Sequence, residues 1–98
     1  MYGLIVKMGA VPGQRDALIA ILTESVAAMP GCLSYIVAKD LSEENEIWIT
    51  EIWDSKESHD DSLSLPAVKS AIAAGRPMIA GVGLNVLTEP MGGYGLHT

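Results

Sequence analysis

The stretch Glu46–Trp53, EIWITEIW, constrains the fold more than any other part of the chain. Its density of Ile and Trp favours a strand, and successive side chains of a strand point to opposite faces. Ile47, Ile49 and Trp53 therefore point one way and Trp48 and Ile52 the other, and both sets are apolar. A sheet covered on one side only would alternate apolar with polar. Cys32–Lys39 behaves similarly, with Ile36 on one face and Leu33, Tyr35 and Val37 on the other. Such a sheet needs a second layer on the side its own helices leave bare. The simplest supplier is another copy of the same sheet across a twofold axis, so the expectation is a homodimer.

The remaining segments supply the partners of these strands. Residues 2–8 are short and apolar with Lys7 as their only charge, which suits a first strand. After the Pro12-Gly13 break, Leu18, Ile21, Leu22, Ser25 and Met29 recur at helical spacing. They predict an amphipathic helix of about four turns, closed by Pro30-Gly31. The polar run Asp40-Leu41-Ser42-Glu43-Glu44-Asn45 is a hairpin turn between the second and third strands. Asp54-Ser55-Lys56-Glu57 opens a further helix, with Asp or Ser as cap and Glu57 reaching back. Leu65-Pro66 interrupts it, Val68, Ala71 and Ile72 turn inward on its second piece, and Gly75 then Pro77 end it. Residues 82–88 alternate as the last strand.

The order β-α-β-β-α-β is the ferredoxin-like α+β arrangement, one antiparallel sheet with helices on one face. Residues 1–90 form a single domain, and residues 91–98 form a Gly-rich tail. Tyr94 and Leu96 of that tail either fray or lie across a partner subunit.

Composition closes off several functions. A chain of 98 residues, 49% of them hydrophobic, has room for one core and is marginal alone. Its six Lys and Arg interrupt every apolar run well short of the roughly 20 residues a membrane-spanning helix needs. The first residues, MYGLIVKM, do not read as a signal peptide, and the expected setting is cytoplasmic. A net charge of −6 argues against binding to nucleic acid. Nine of the twelve carboxylates fall between residues 40 and 61, which reads as a solvated loop and helix start. Cys32 is the single cysteine, so it forms no internal disulfide or Cys-based zinc cluster and reads as a small buried apolar residue. Phosphate-loop, dinucleotide, metal-spacing and nucleophile-elbow motifs are missing, and neither cofactor nor metal is expected.

Five polar or aromatic positions remain. Glu51 and Trp53 lie two apart on one strand face, and a carboxylate there needs a partner. Arg76, Lys69 and His59 are the available cations for an ion pair; unpaired, Glu51 would instead be placed to act as acid or base. His59 is either a surface histidine or a general base aimed between helix and sheet. Arg76 either caps a helix C-terminus or stabilises an anion. Trp48 and Trp53 read as core or interface anchors.

The combination Pro30-Gly31-Cys32-Leu33-Ser34-Tyr35, Glu51-Ile52-Trp53-Asp54-Ser55-Lys56-Glu57-Ser58-His59, Leu65-Pro66-Ala67-Val68 and Arg76-Pro77-Met78-Ile79-Ala80-Gly81 resembles the antibiotic biosynthesis monooxygenase family. The similarity spans residues 1–89. It implies a dimeric ferredoxin-like α+β barrel with a pocket between helices and sheet in each protomer. Some members of that family oxidise hydroxylated aromatics or quinols with dioxygen and no cofactor, others degrade haem, and one isomerises a phosphorylated sugar. The haem-degrading pattern places an Asn where Val6 stands and a His where Leu63 stands, which disfavours haem degradation here. The aromatic-oxidising pattern maps its Trp onto Trp53 and its Arg onto Arg76, with Ile49 in place of an Asn. Many relatives carry a His near the position of Ser62, where this chain offers His59 instead.

The resemblance thus implies a cofactor-free monooxygenase acting on a quinol or hydroxylated aromatic. Trp53, Tyr35 and Ile49 would hold the ring, His59 or Glu51 would take a proton, and Arg76 would offset negative charge. The alternatives are a quinone-binding or stress-related accessory protein without turnover, and an isomerase-type member.

Overall fold

A computed structural model describes residues 1–24 and 29–96. Ser25 of the expected helix face and His97 of the tail lie outside the described residues. The order is β1 (Tyr2–Ala10), α1 (Arg15–Glu24), β2 (Cys32–Lys39), β3 (Glu46–Trp53), α2 (Lys56–Ser62), α3 (Pro66–Gly75), one 3-10 turn (Arg76–Met78) and β4 (Ile79–Thr88). The strands form one antiparallel sheet in the order β2-β3-β1-β4, the ferredoxin-like topology. β2 and β3 have the bounds read from sequence, whereas β4 starts three residues earlier. Its ladder with β1 runs on to the pair Ala10 and Ile79 through two irregularities, and Gly81 and Gly83 hide the alternation there.

Register sorts the side chains into two faces. On the helix side run the rows Tyr35–Glu51–Leu4–Leu87 and Val37–Ile49–Val6–Asn85. On the other side run Ile36–Thr50–Ile5–Val86 and Ala38–Trp48–Lys7–Leu84. The first face meets α1, where Leu18 is fully buried against Ile47, Ile49, Met8 and Ala10. Burial of Leu18 and of Ile47 contributes about 1.5–3 kcal/mol each. The second face has no layer over it in the single chain, and Ile36 on it is 58% exposed.

Local chemistry fixes the connections. Asp40 Oδ1 accepts the backbone N–H groups of Ser42 and Glu43 at 2.8 and 2.9 Å, which closes the hairpin. Its Oδ2 accepts the indole N–H of Trp48 at 2.8 Å, while the Lys7 ammonium lies 5.5 Å from the Trp48 ring centre. The cap of α2 is Ser55, whose side chain accepts from the backbone N–H of Ser58. The residue three on is therefore Ser58, so the reach-back expected of Glu57 has no role; Glu57 is exposed. Pro66 occupies the first turn of α3. Val68, Ala71 and Ile72 face a cavity instead of filling a core. The buried residue of α3 is Gly75, where a Cβ would sit 3.2 Å from the Leu18 side chain.

The Pro30-Gly31 turn bears directly on α2. Gly31 has φ +84°, and a Cβ there would meet the Ser58 hydroxyl at 2.5 Å. Its carbonyl also accepts the Asp54 N–H at 2.9 Å. Glycine at this position lets β2 begin against the residue that precedes His59.

Candidate functional site

The helices do not close completely on the sheet. A cavity of about 280 Å3 lies between them, its body walled by apolar side chains such as Val6, Leu18, Leu22, Val68 and Ile72. Tyr35, Ile49, Glu51, Trp53, His59 and Arg76 all line it, so the six residues singled out from sequence meet in one space. Lys69 does not.

Trp53 and Glu51 come from the end of β3, on its helix-facing side. Trp53 is 1% exposed, and its indole N–H donates to Glu51 Oε1 at 3.0 Å. The ion pair expected for Glu51 is thereby corrected, because its partner is a neutral indole. The two-residue pleat repeat sets the two groups side by side, and Glu51 makes no salt bridge among the described residues.

Tyr35 stands opposite Glu51 in the β2–β3 register. Burial first, and then the Glu51 charge, push its phenol far above the ordinary 10.0. It therefore stays protonated and offers a donor. The same two causes raise the Cys32 thiol, which keeps it a thiol and not a nucleophile.

His59 enters from α2. Its side chain is 17% exposed, which removes the surface-histidine reading. The ring meets Trp53 edge-on, with centroids 5.5 Å apart and planes at 79°, and meets Tyr2 at 5.5 Å. Its Nδ1 lies 3.2 Å from Asp60 Oδ1. Tyr2, which touches His59 without lining the cavity, is a contact that the sequence alone does not reveal. The antiparallel pairing of β1 with β3 sets Tyr2 opposite Trp53, and the seating of α2 brings His59 onto it.

Arg76 follows α3, and its backbone N–H closes that helix on the Ile72 carbonyl. Its side chain is exposed at the cavity rim and makes no hydrogen bond or ion pair among the described residues. The site thus combines an apolar body, a buried indole wall, a protonated phenol, an imidazole and a guanidinium. Among the described residues no group of three or more His, Cys, Asp or Glu could hold a metal ion, and no helix is long and apolar enough to cross a membrane.

Sheet topology and cavity together define a ferredoxin-like α+β protein with an apolar cavity between its helices and its sheet. Residues 1–74 match the model of the family described as antibiotic biosynthesis monooxygenase, and the chain belongs to that family. It is similar to the crystal structure of a candidate antibiotic biosynthesis monooxygenase from Chloroflexus aurantiacus J-10-fl. The two share 61% identity over 98% of each chain, with a TM-score of 0.96. A candidate member from Deinococcus radiodurans shares the fold at 24% identity over 100% of both chains, with a TM-score of 0.78. Another from Caulobacter crescentus CB15 shares it at 22% identity over 89% of this chain and 84% of its own, with a TM-score of 0.76. No curated protein sequence matches the chain.

Proposed function

We propose that the protein is a cofactor-independent monooxygenase that oxidises a quinol or hydroxylated aromatic with dioxygen. The observation that carries this reading is the convergence of His59, Glu51 and Arg76 on one apolar cavity walled by Trp53. Family membership and the names of the similar structures support the same class.

A hydroxylated ring, once deprotonated, is electron-rich enough to reduce dioxygen itself. The protein has to hold the ring, take the proton, balance the anion and keep water out. In the proposed reaction one oxygen atom enters the ring and the other leaves as water, while the ring loses two hydrogens and ends at the quinone level. Trp53 and Ile49 form the wall against which the ring lies. His59 takes the hydroxyl proton, since the Glu51 carboxylate already accepts the Trp53 N–H. Tyr35 donates toward the resulting oxyanion, and Arg76 offsets its charge from the rim.

Residues 1–90 act as one domain with 91–98 as its tail, and the functional unit is a homodimer in a cytoplasmic setting. Support for the dimer comes from the bare sheet face, where Ile36, Leu84 and Val86 are all exposed. The reaction is tested with an oxygen electrode and a panel of quinols, dihydroxynaphthalene and menadiol among them. Consumption that His59→Ala and Trp53→Ala abolish supports the assignment, and no consumption across the panel overturns it.

A further inference from the structure

One carboxylate on α2 touches two partners. Asp60 Oδ1 lies 3.2 Å from His59 Nδ1, and Asp60 Oδ2 accepts the Lys56 ammonium at 2.7 Å from one helical turn earlier. The Lys56 ammonium, and then His59, hold the Asp60 carboxyl below its ordinary 3.8, so it is ionised at neutral pH. An ionised carboxylate only accepts hydrogen bonds. A neutral imidazole can therefore bond to it only with the proton on Nδ1.

The rest of the ring environment leaves the other nitrogen open. Tyr2 from β1 and Trp53 from β3 fix the ring plane by aromatic contact. Glu51 is bonded to Trp53, and Arg76 lines the same cavity. Among the described residues Nε2 has no hydrogen-bond partner, and the imidazole lines the cavity. We propose that Asp60, anchored by Lys56, is a positioning residue that fixes neutral His59 as its Nδ1–H tautomer and leaves Nε2 as the unprotonated nitrogen at the cavity.

The consequence for turnover rests on the oxygenase reading, whereas the tautomer does not. When Nε2 takes the proton of a ring hydroxyl, the O–H bond breaks, an N–H bond forms, and an oxyanion remains. The imidazolium then has its positive charge against the Asp60 carboxylate, which persists unprotonated throughout.

The test is 15N NMR of the full chain, labelled at histidine, at a pH where the ring is neutral. The sequence has two histidines, so His97→Gln leaves His59 as the single signal. The expected spectrum shows a protonated Nδ1 and an unprotonated Nε2. Asp60→Ala moves the balance toward the Nε2–H form, and Lys56→Met moves it part of the way. Asp60 is exposed on a helix and Ala is a strong helix former, so the fold survives the change. In oxygen uptake, Asp60→Ala lowers kcat by about tenfold or more and leaves KM nearly unchanged. A purely structural Asp60 would alter the melting temperature and leave the tautomer as it was.

An Nε2–H tautomer in the unmodified protein, or a tautomer indifferent to Asp60→Ala, overturns the proposal. Oxygen uptake accompanied by either result would leave the oxygenase reading standing. The Nδ1–H tautomer with no uptake would retire the oxygenase reading and keep the positioning role.

Discussion

The indole N–H of Trp53 donates to the carboxylate of Glu51 at 3.0 Å, and both residues belong to the helix-facing side of β3. This contact lets a carboxylate sit at an apolar cavity without a cation beside it. Trp53→Phe keeps an aromatic wall and removes the donor. The expected cost is about 1 kcal/mol by urea denaturation. Trp53→Ala also empties a buried site and is expected to cost about 3–5 kcal/mol.

Tyr35 keeps its proton well past the ordinary phenol value of 10.0 because it is partly buried and stands opposite Glu51. A phenol raised in the folded state binds its proton more tightly there than in the unfolded chain. Its contribution is therefore full below about pH 10 and declines as pH rises above it. Ultraviolet titration should find one tyrosine of the three resisting ionisation until unfolding. Tyr35→Phe should remove that resistant signal and flatten the alkaline loss of stability.

At the other end of the pH scale, Asp40 is held down at about 2 from its ordinary 3.8, first by the Trp48 indole and then by the hairpin N–H groups. A depressed carboxyl contributes stability that is present above pH 3.8 and lost as pH falls through about 2. Melting curves between pH 6 and pH 2 should show this loss, accompanied by a change in Trp48 fluorescence. Asp40→Ala should shift that fluorescence at neutral pH and weaken the acid dependence.

The bare sheet face gives the assembly prediction. Light scattering at micromolar concentration should return twice the protomer mass of 10.4 kDa. Ile36→Asp and Val86→Asp, both at exposed positions on that face, should yield a folded species of single mass. A single mass for the unmodified chain would remove the dimer from the account.

The fold was legible where side-chain periodicity is unbroken. EIWITEIW announces both its strand and its two apolar faces, and Pro30-Gly31, Pro66 and Gly75 mark element ends. The start of β4 was not legible, because Gly81 and Gly83 carry no side chain to reveal the alternation. Gly75 ends α3 as its sequence position predicts, but its close approach to Leu18 is a long-range relation that no local pattern encodes. The site was partly legible: Glu51 and Trp53 follow from a period of two. Whether Glu51 would be met by a cation or by its neighbour's indole depends on packing across three elements. The contact of Tyr2 with His59 likewise needs the β1–β3 register together with the seating of α2.

The most direct measurement is turnover of dihydroxynaphthalene or menadiol under 18O2, with the label followed by mass spectrometry. One labelled atom is expected in a quinone-level product and the other in water, with the signal lost in Trp53→Ala and His59→Ala. Unlabelled product, or labelling that both variants leave unchanged, would contradict the oxygenase reading.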